Sequence, residues 1–198
     1  MVILSRKLVD MDRHIAEEWN QRYQKTAHNL SQPRTFLEEV IDQCPTSGWA
    51  LDVAAGEGHN AGLLAKRGMK VIGVDFSRVA LCKAQEKYPG LNLALVNLPS
   101  FHLRDECLQM ILNFWFLDRN MFALYRRWLK PGGLLLFETM RFDPDSDQSH
   151  LRLEYLVQPG ELHKEFSDWE FLVYDENVKA KAKGKTQLAV RLLAQKPL

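Results

Sequence analysis

The sequence has few cysteines, little net charge and no long apolar run, and each of these features excludes a class of protein. Only three cysteines are present, Cys44, Cys82 and Cys107, and no two of them form a CxxC pair, so the sequence predicts neither a disulfide framework nor a zinc site. The formal net charge is only +1, which indicates no nucleic-acid or acidic-membrane partner. No run of about 18 apolar residues occurs, so no transmembrane helix is expected. We therefore expect a reduced, cytoplasmic protein.

Apolar residues are nevertheless plentiful, at 46% of 198 positions, which is enough for a folded core. From Trp49 onward, short apolar runs alternate with helical stretches, a pattern that favours parallel strands buried on both faces. The predicted strands are Trp49–Ala54, Lys70–Asp75, Asn92–Val96, Gln109–Trp115 and Leu134–Thr139, and the predicted helices are Asp12–Gln24, Thr35–Gln43, Asn60–Arg67, Ser77–Lys87, Arg119–Leu129 and Pro159–Phe166. The predicted fold class is a doubly wound α/β, Rossmann-like sheet.

The C-terminal part breaks this alternation. Two strand-like stretches, Trp169–Tyr174 and Thr186–Gln195, are joined by the charged segment 175–185 with no helical pattern between them. We predict an antiparallel pair that completes a mostly parallel seven-stranded sheet, with a solvated turn between the two strands. The chain is interpreted as one domain, with an N-terminal helical arm at 1–48, a core at 49–139, a lid and helix at 140–168, and the strand pair at 169–198.

The most informative stretch is Asp52–Gly62 (DVAAGEGHNAG), which follows a predicted strand and opens a predicted helix. Gly56 and Gly58 have no side chain, so a ligand can approach the backbone at this turn, where helix amides point toward it. Asp75 ends the next strand, 17 positions after Gly58, where a carboxylate can accept hydrogen bonds from both ribose hydroxyls of an adenosine ligand. Because a dinucleotide fingerprint also fits, these residues leave S-adenosylmethionine (SAM) and NAD both open.

Five segments, taken in order, extend this pattern from Trp19 to Thr139, and the tail from Tyr155 to Pro197 continues it. They are WNQRY at Trp19–Tyr23, followed by LDVAAGEGHNA, VIGVDFS, ILNFWFLDR and LKPGGLLLFET. Their order and spacing resemble the class I SAM-dependent methyltransferases, and among these the small tellurite-resistance-type and generic methyltransferase-domain proteins of bacteria. The sequence departs from the usual motifs at Ala54, where glycine is usual, at His59, where arginine is usual, and at Asn97 and Gln109, where aspartate is usual.

The resemblance implies SAM as the cofactor and S-adenosylhomocysteine as the product. The glycine segment is expected to surround the methionine part of SAM, the ends of the second and third strands its adenosine part, and the N-terminal arm to cover both. The expected residues are Asp52, Ala54, Gly56, Gly58 and Asn113 at the methionine part, Asp75, Phe76, Asn97 and Leu98 at the adenosine part, and Trp19 and Arg22 in the cover, with Arg22 at the methionine carboxylate.

Transfer of a methyl group from a sulfonium needs mainly alignment, and only an oxygen or nitrogen acceptor needs a general base. The candidates for such a base are His59, Glu138 and Tyr23. The expected contacts to the acceptor are Trp115, Arg119, Arg141 and His150, and segment 141–158 is expected to be a lid. No spacing of histidines suggests a metal ion.

The function predicted on this basis is methyl transfer to a small molecule or small anion by a monomer or weak homodimer. Two alternatives stay open: a non-catalytic SAM-binding protein, and a nucleotide-cofactor oxidoreductase on a Rossmann-like sheet. Binding of S-adenosylhomocysteine would separate the oxidoreductase from the other two.

Overall fold

The computed structural model describes residues 6–25, 32–98, 101–146, 148, 151–182 and 185–198. These residues form one seven-stranded sheet, with the strands in the order β3-β2-β1-β4-β5-β7-β6. The strands are β1 (Trp49–Val53), β2 (Lys70–Asp75), β3 (Asn92–Leu95), β4 (Leu108–Phe114), β5 (Leu129–Met140), β6 (Glu170–Ala182) and β7 (Lys185–Gln195). The predicted α/β sheet is therefore confirmed.

Strands β1 to β5 are parallel to one another, whereas β7 runs antiparallel to both β5 and β6. Successive side chains of a strand point to opposite faces, and here both faces are apolar and covered. Leu51 and Ile111 belong to one buried cluster, while their neighbours Ala50 and Met110 belong to the other. The continuous apolar runs of the sequence reflect this two-sided burial.

Helices cover both faces of the sheet. They are α1 (Arg6–Lys25), α2 (Thr35–Glu39), α3 (His59–Lys66), α4 (Arg78–Lys87), α5 (Asn120–Trp128) and α6 (Glu161–Glu165), with short 3-10 turns at Ile41–Gln43 and Leu153–Tyr155. Ser77 caps α4, since its Oγ accepts a hydrogen bond from the Ala80 N–H at 3.2 Å. In the described ranges no helix is both long and apolar enough to cross a membrane.

The structure corrects the prediction for the charged segment 175–185. The segment is not mainly a turn, because β6 continues to Ala182 and β7 begins at Lys185. The register pairs Lys179 with Leu188 and Lys181 with Thr186. Alternating lysine and alanine have the period of two that a strand requires, and lysine is tolerated on the exposed edge of a sheet. The prediction was wrong because the many charged residues were interpreted as a solvated turn and their alternation with alanine was not considered.

Candidate functional site

The connection between β1 and α3 lies at the carboxyl ends of the parallel strands and has an unusual backbone. Ala54, Gly56 and Gly58 adopt φ angles of 52°, 55° and 74°. The left-handed region costs a residue with a Cβ roughly 1–2 kcal/mol, so Ala54 holds a strained conformation that the glycine usual in the resembling family would relieve. Strain of this kind is concentrated at functional sites.

Asp75 ties this loop to the end of β2. Its side chain is 4% exposed, its Oδ2 accepts the Gly56 N–H at 2.8 Å, and its Oδ1 accepts the Ser77 N–H at 2.8 Å. Burial raises the pKa of Asp75, and the backbone hydrogen bonds oppose that shift. The Phe76 N–H also interacts with the carboxylate, and since the two oxygens together have four lone pairs, the group can still accept a ribose hydroxyl.

Asp52 lies one residue before the end of β1 and is 1% exposed. Its Oδ2 accepts the N–H of Ala61 at 3.1 Å, in the first turn of α3. Burial raises the pKa of Asp52 to about 7, although the Ala61 hydrogen bond acts in the opposite direction. The carboxyl group therefore orients α3 and has a pKa close to neutral pH.

The raised pKa of Asp52 predicts a pH-dependent stability that Asp52→Asn removes. The ordinary pKa is 3.8 and the folded value about 7, so the native state binds more protons between those values. The free energy of unfolding should then fall as the pH rises from about 4 to about 7, by about 1.4 kcal/mol for each unit of pKa difference.

Denaturant unfolding of both proteins at several pH values measures this difference. We expect the wild type to lose stability relative to Asp52→Asn across that window and to run parallel to it above pH 8. If the free energies of unfolding of the two proteins changed in parallel over the whole pH range, burial would not have raised the pKa of Asp52.

Two buried polar atoms without hydrogen-bond partners lie where β4 ends. Asn113 is opposite Val53 in the sheet, and its Nδ2 donates to the Tyr125 hydroxyl at 3.2 Å. The Asn113 Oδ1 and the Trp115 Nε1 have no partner among the described residues. Buried polar groups are nearly always satisfied, so these atoms fit an acceptor and a donor for a ligand. Trp115 also has a φ of 60°.

Tyr23, in the last turn of α1, covers the glycine loop. A Cβ built on Gly56 would lie 2.6 Å from the Tyr23 hydroxyl, and the tyrosine is buried. Burial, followed by the charges of Asp75 and Glu57, raises the pKa of Tyr23. The phenol is therefore protonated at neutral pH, which makes it a hydrogen-bond donor to a ligand and a poor general base.

Arg34, just before α2, is a half-buried cation at this site that the sequence analysis missed. Its guanidinium lies 5.2 Å from the centre of the Trp115 ring. Burial lowers the pKa of Arg34, while the charges of Glu138, Tyr23 and Asp52 raise it. No motif marks Arg34 in the sequence; only the path of residues 32–35 over the strand ends brings it there.

Comparisons with known proteins agree with this geometry. Residues 50–133 match a protein family described as a methyltransferase domain. A probable S-adenosylmethionine-dependent methyltransferase of Mycobacterium tuberculosis (strain CDC 1551 / Oshkosh) is 28% identical over 150 residues, which cover 72% of this chain and 50% of the relative. The chain is therefore similar to SAM-dependent methyltransferases over these residues. It spans half the length of that curated relative.

Solved structures of methyltransferases have the same fold. TehB from Haemophilus influenzae is 20% identical, with a TM-score of 0.73 over 85% of this chain and 64% of TehB. The geranyl diphosphate C-methyltransferase of Streptomyces coelicolor A3(2), solved with S-adenosylhomocysteine, is 14% identical, with a TM-score of 0.69 over 93% of this chain and 98% of that enzyme.

The two other residues predicted in the N-terminal cover differ from Tyr23 in exposure. Trp19 is half-buried, whereas Arg22 is exposed and stacks on the Trp19 ring, 4.6 Å from its centre. The structure therefore brings Tyr23 to the glycine loop and leaves Arg22 on the outer side of α1. A contact between Arg22 and a cofactor carboxylate stays a prediction.

The residues predicted for the adenosine part lie beside Asp75. Phe76 follows it and is half-buried, and the end of β3 approaches through the Val96 N–H, which donates to the Asp75 carbonyl at 3.0 Å. Asn97 is exposed, whereas Leu98 is 4% exposed and belongs to the apolar core. These positions suit one face and one edge of an adenine.

His59 is directed away from the strand ends. Its Nδ1 lies 3.1 Å from the Tyr88 hydroxyl and 3.4 Å from the Lys87 Nζ, both at the end of α4. Its Nε2 lies 3.6 Å from a Glu57 carboxylate oxygen. Burial, with Lys87, lowers the pKa of His59, so the imidazole is neutral but faces α4 rather than Asn113 and Trp115.

Glu138, at the carboxyl end of β5, does lie at the site. Its carbonyl accepts the Trp115 N–H at 2.7 Å. Its Oε2 accepts the Arg191 Nε at 2.6 Å, and Arg191 also donates to Glu39 at 2.9 Å. The carboxylate is thus held in a largely buried ion pair with Arg191.

The remaining predicted acceptor contacts lie in or beside the predicted lid. The Arg119 guanidinium donates to both carboxylate oxygens of Glu161 and to the carbonyls of Glu154 and Leu156, so it orders the segment instead of pointing to a free space. Arg141 begins the segment, forms a bridge with Val157 and lies 3.5 Å from Asn177. His150 lies outside the described residues.

Proposed function

We propose that this protein binds SAM at the carboxyl ends of β1, β2 and β4 and transfers its methyl group to a small molecule. The observation that carries the proposal is the Asp75 carboxylate, held by the Gly56 and Ser77 amides with acceptor capacity left for a ribose. SAM supplies an electrophilic methyl group on a sulfonium. Asp75 would hold the ribose, and Asn113 Oδ1 with Asp52 would face the ammonium group of the methionine part.

Arg34 and Tyr23 would receive the carboxylate of the methionine part. A planar guanidinium and a protonated phenol both donate to a carboxylate, and the two groups are close enough to affect each other electrostatically. A bound carboxylate would also offset the cost of burying the Arg34 charge. Arg22, which is exposed and stacked on Trp19, is less suited to this role.

The acceptor would approach over the ends of β4 and β5, beside Trp115. None of the three candidate bases favours proton abstraction: Tyr23 has a raised pKa, Glu138 is paired with Arg191, and His59 faces α4. This supports an acceptor that needs no general base, namely a soft nucleophile or a group that is already anionic. Alignment and exclusion of water then carry the reaction.

Calorimetry with S-adenosylhomocysteine and with NADH tests the cofactor, and labelled SAM with fractionated cell extract tests the transfer. We expect binding of S-adenosylhomocysteine only, and label in the small-molecule fraction. Binding without transfer to small molecules, protein or nucleic acid would favour the non-catalytic alternative. Binding of NADH alone would contradict the proposed function.

A further inference from the structure

A side chain near the end of α1 caps the first turn of α4. The Asn20 Oδ1 accepts the Ser77 hydroxyl at 2.8 Å and the Val79 N–H at 3.2 Å. The first N–H groups of a helix have no partner within it, so α1 supplies α4 with a second cap beside the one from Ser77. Ser77 in turn donates its N–H to Asp75, which links this contact to the site.

Lys83, one turn further along α4, makes the second connection. Its Nζ donates to the Tyr23 carbonyl at 2.5 Å and to the Glu57 Oε1 at 3.1 Å. The Tyr23 carbonyl is among the last four of α1, which lack partners within the helix and favour a cation nearby. Glu57 stands between Gly56 and Gly58, so one ammonium group joins α1 directly to the glycine loop.

We propose that Lys83 is a positioning residue that latches α1 over the glycine loop, so that cofactor leaves only when this latch opens. Tyr23 supports the proposal because its carbonyl binds Lys83 while its hydroxyl lies against Gly56. Opening the latch would lift the phenol from the loop and release Glu57 at the same time. The inference rests on the proposed function for its ligand, but not for the latch itself.

Stopped-flow measurement of S-adenosylhomocysteine dissociation tests the latch. Lys83→Met keeps the length of the side chain but removes the charge and its donors. We expect its dissociation rate constant to rise about 10-fold or more, as for loss of hydrogen bonds to a charged group. Lys83→Arg should restore most of the wild-type rate, and Asn20→Ala should increase the rate in the same direction as Lys83→Met. Lys66→Met, an exposed lysine at the end of α3, is the matched control and should leave the rate unchanged.

Hydrogen exchange over residues 14–25 without ligand separates failure of the latch from failure of the proposed function. Lys83→Met should accelerate exchange there while β4 and β5 keep wild-type protection. If the wild type does not bind S-adenosylhomocysteine, the proposed function fails and the latch is judged by this exchange alone. Wild-type exchange in Lys83→Met would overturn the latch, as would an unchanged dissociation rate in a folded Lys83→Met protein that binds the ligand.

Discussion

Replacing Gly56 with valine should reduce the affinity for S-adenosylhomocysteine by more than about 100-fold while the sheet still forms. The backbone at Gly56 has a φ of 55°, and a Cβ there would lie 2.6 Å from the Tyr23 hydroxyl. A branched side chain would displace the phenol, strain the turn and fill the space through which a ligand approaches the backbone. Calorimetry gives the affinity, and circular dichroism confirms the fold.

Gly160 offers a matched control for the backbone strain. It also has a left-handed backbone, with a φ of 72°, but a Cβ there would meet nothing within 4 Å. Gly160→Val therefore introduces a Cβ at a left-handed residue without the contact that Gly56→Val makes with Tyr23. We expect it to lose stability but keep wild-type affinity. If a folded Gly56→Val protein also binds normally, the glycine loop is not the cofactor site.

A double variant separates the two causes of the loss at Gly56. In Gly56→Ala, the atom nearest the new Cβ is the Tyr23 hydroxyl at 2.6 Å, and the next ring atom is 3.5 Å away. Tyr23→Phe removes only the close atom. If the double variant binds as well as Tyr23→Phe alone, Gly56→Ala acts by displacing the Tyr23 hydroxyl, whereas a further loss below Tyr23→Phe would indicate a direct clash with the ligand.

The sheet and the centre of the site were predictable because they depend on local patterns. Uninterrupted apolar runs indicate parallel strands, and parallel strands bring their carboxyl ends to one edge of the sheet. Asp52, Gly56, Asp75 and Asn113 each stand at such an end, so their convergence follows from the order of the strands. No long-range contact had to be known in advance.

The positions of residues that do not stand at a strand end could not be predicted in this way. Arg34 lies in an irregular segment whose path over the strand ends is fixed by the neighbouring Phe36 and Leu37, both buried in the core. His59 follows the left-handed Gly58, and the direction of its side chain depends on that one φ angle and on the space beside Tyr88. The path of a loop and the direction of a single side chain depend on tertiary packing, which the periodicity of the sequence does not reveal.

Asp75→Ala should weaken the binding of S-adenosylhomocysteine by about 10- to 150-fold, the equivalent of losing roughly 1.5–3 kcal/mol of hydrogen bonding to a charged acceptor. It should also lower the stability of the fold, because the Gly56 and Ser77 amides lose their buried acceptor. Asp42→Ala, at an exposed acid beyond α2, is the control for loss of a carboxylate and should change neither quantity by much. Affinity is to be measured where denaturant curves show each variant fully folded.

The ribose itself can be identified by changing the ligand as well as the protein. An S-adenosylhomocysteine analogue without ribose hydroxyls cannot donate a hydrogen bond to Asp75. Asp75→Ala should therefore reduce the affinity for this analogue far less than it reduces the affinity for S-adenosylhomocysteine. The difference between the two losses isolates the direct contact from the distortion of the Gly56 loop, because that distortion affects both ligands equally. Equal losses would mean that Asp75 only shapes the loop, and unchanged affinity for both ligands would remove Asp75 from the site.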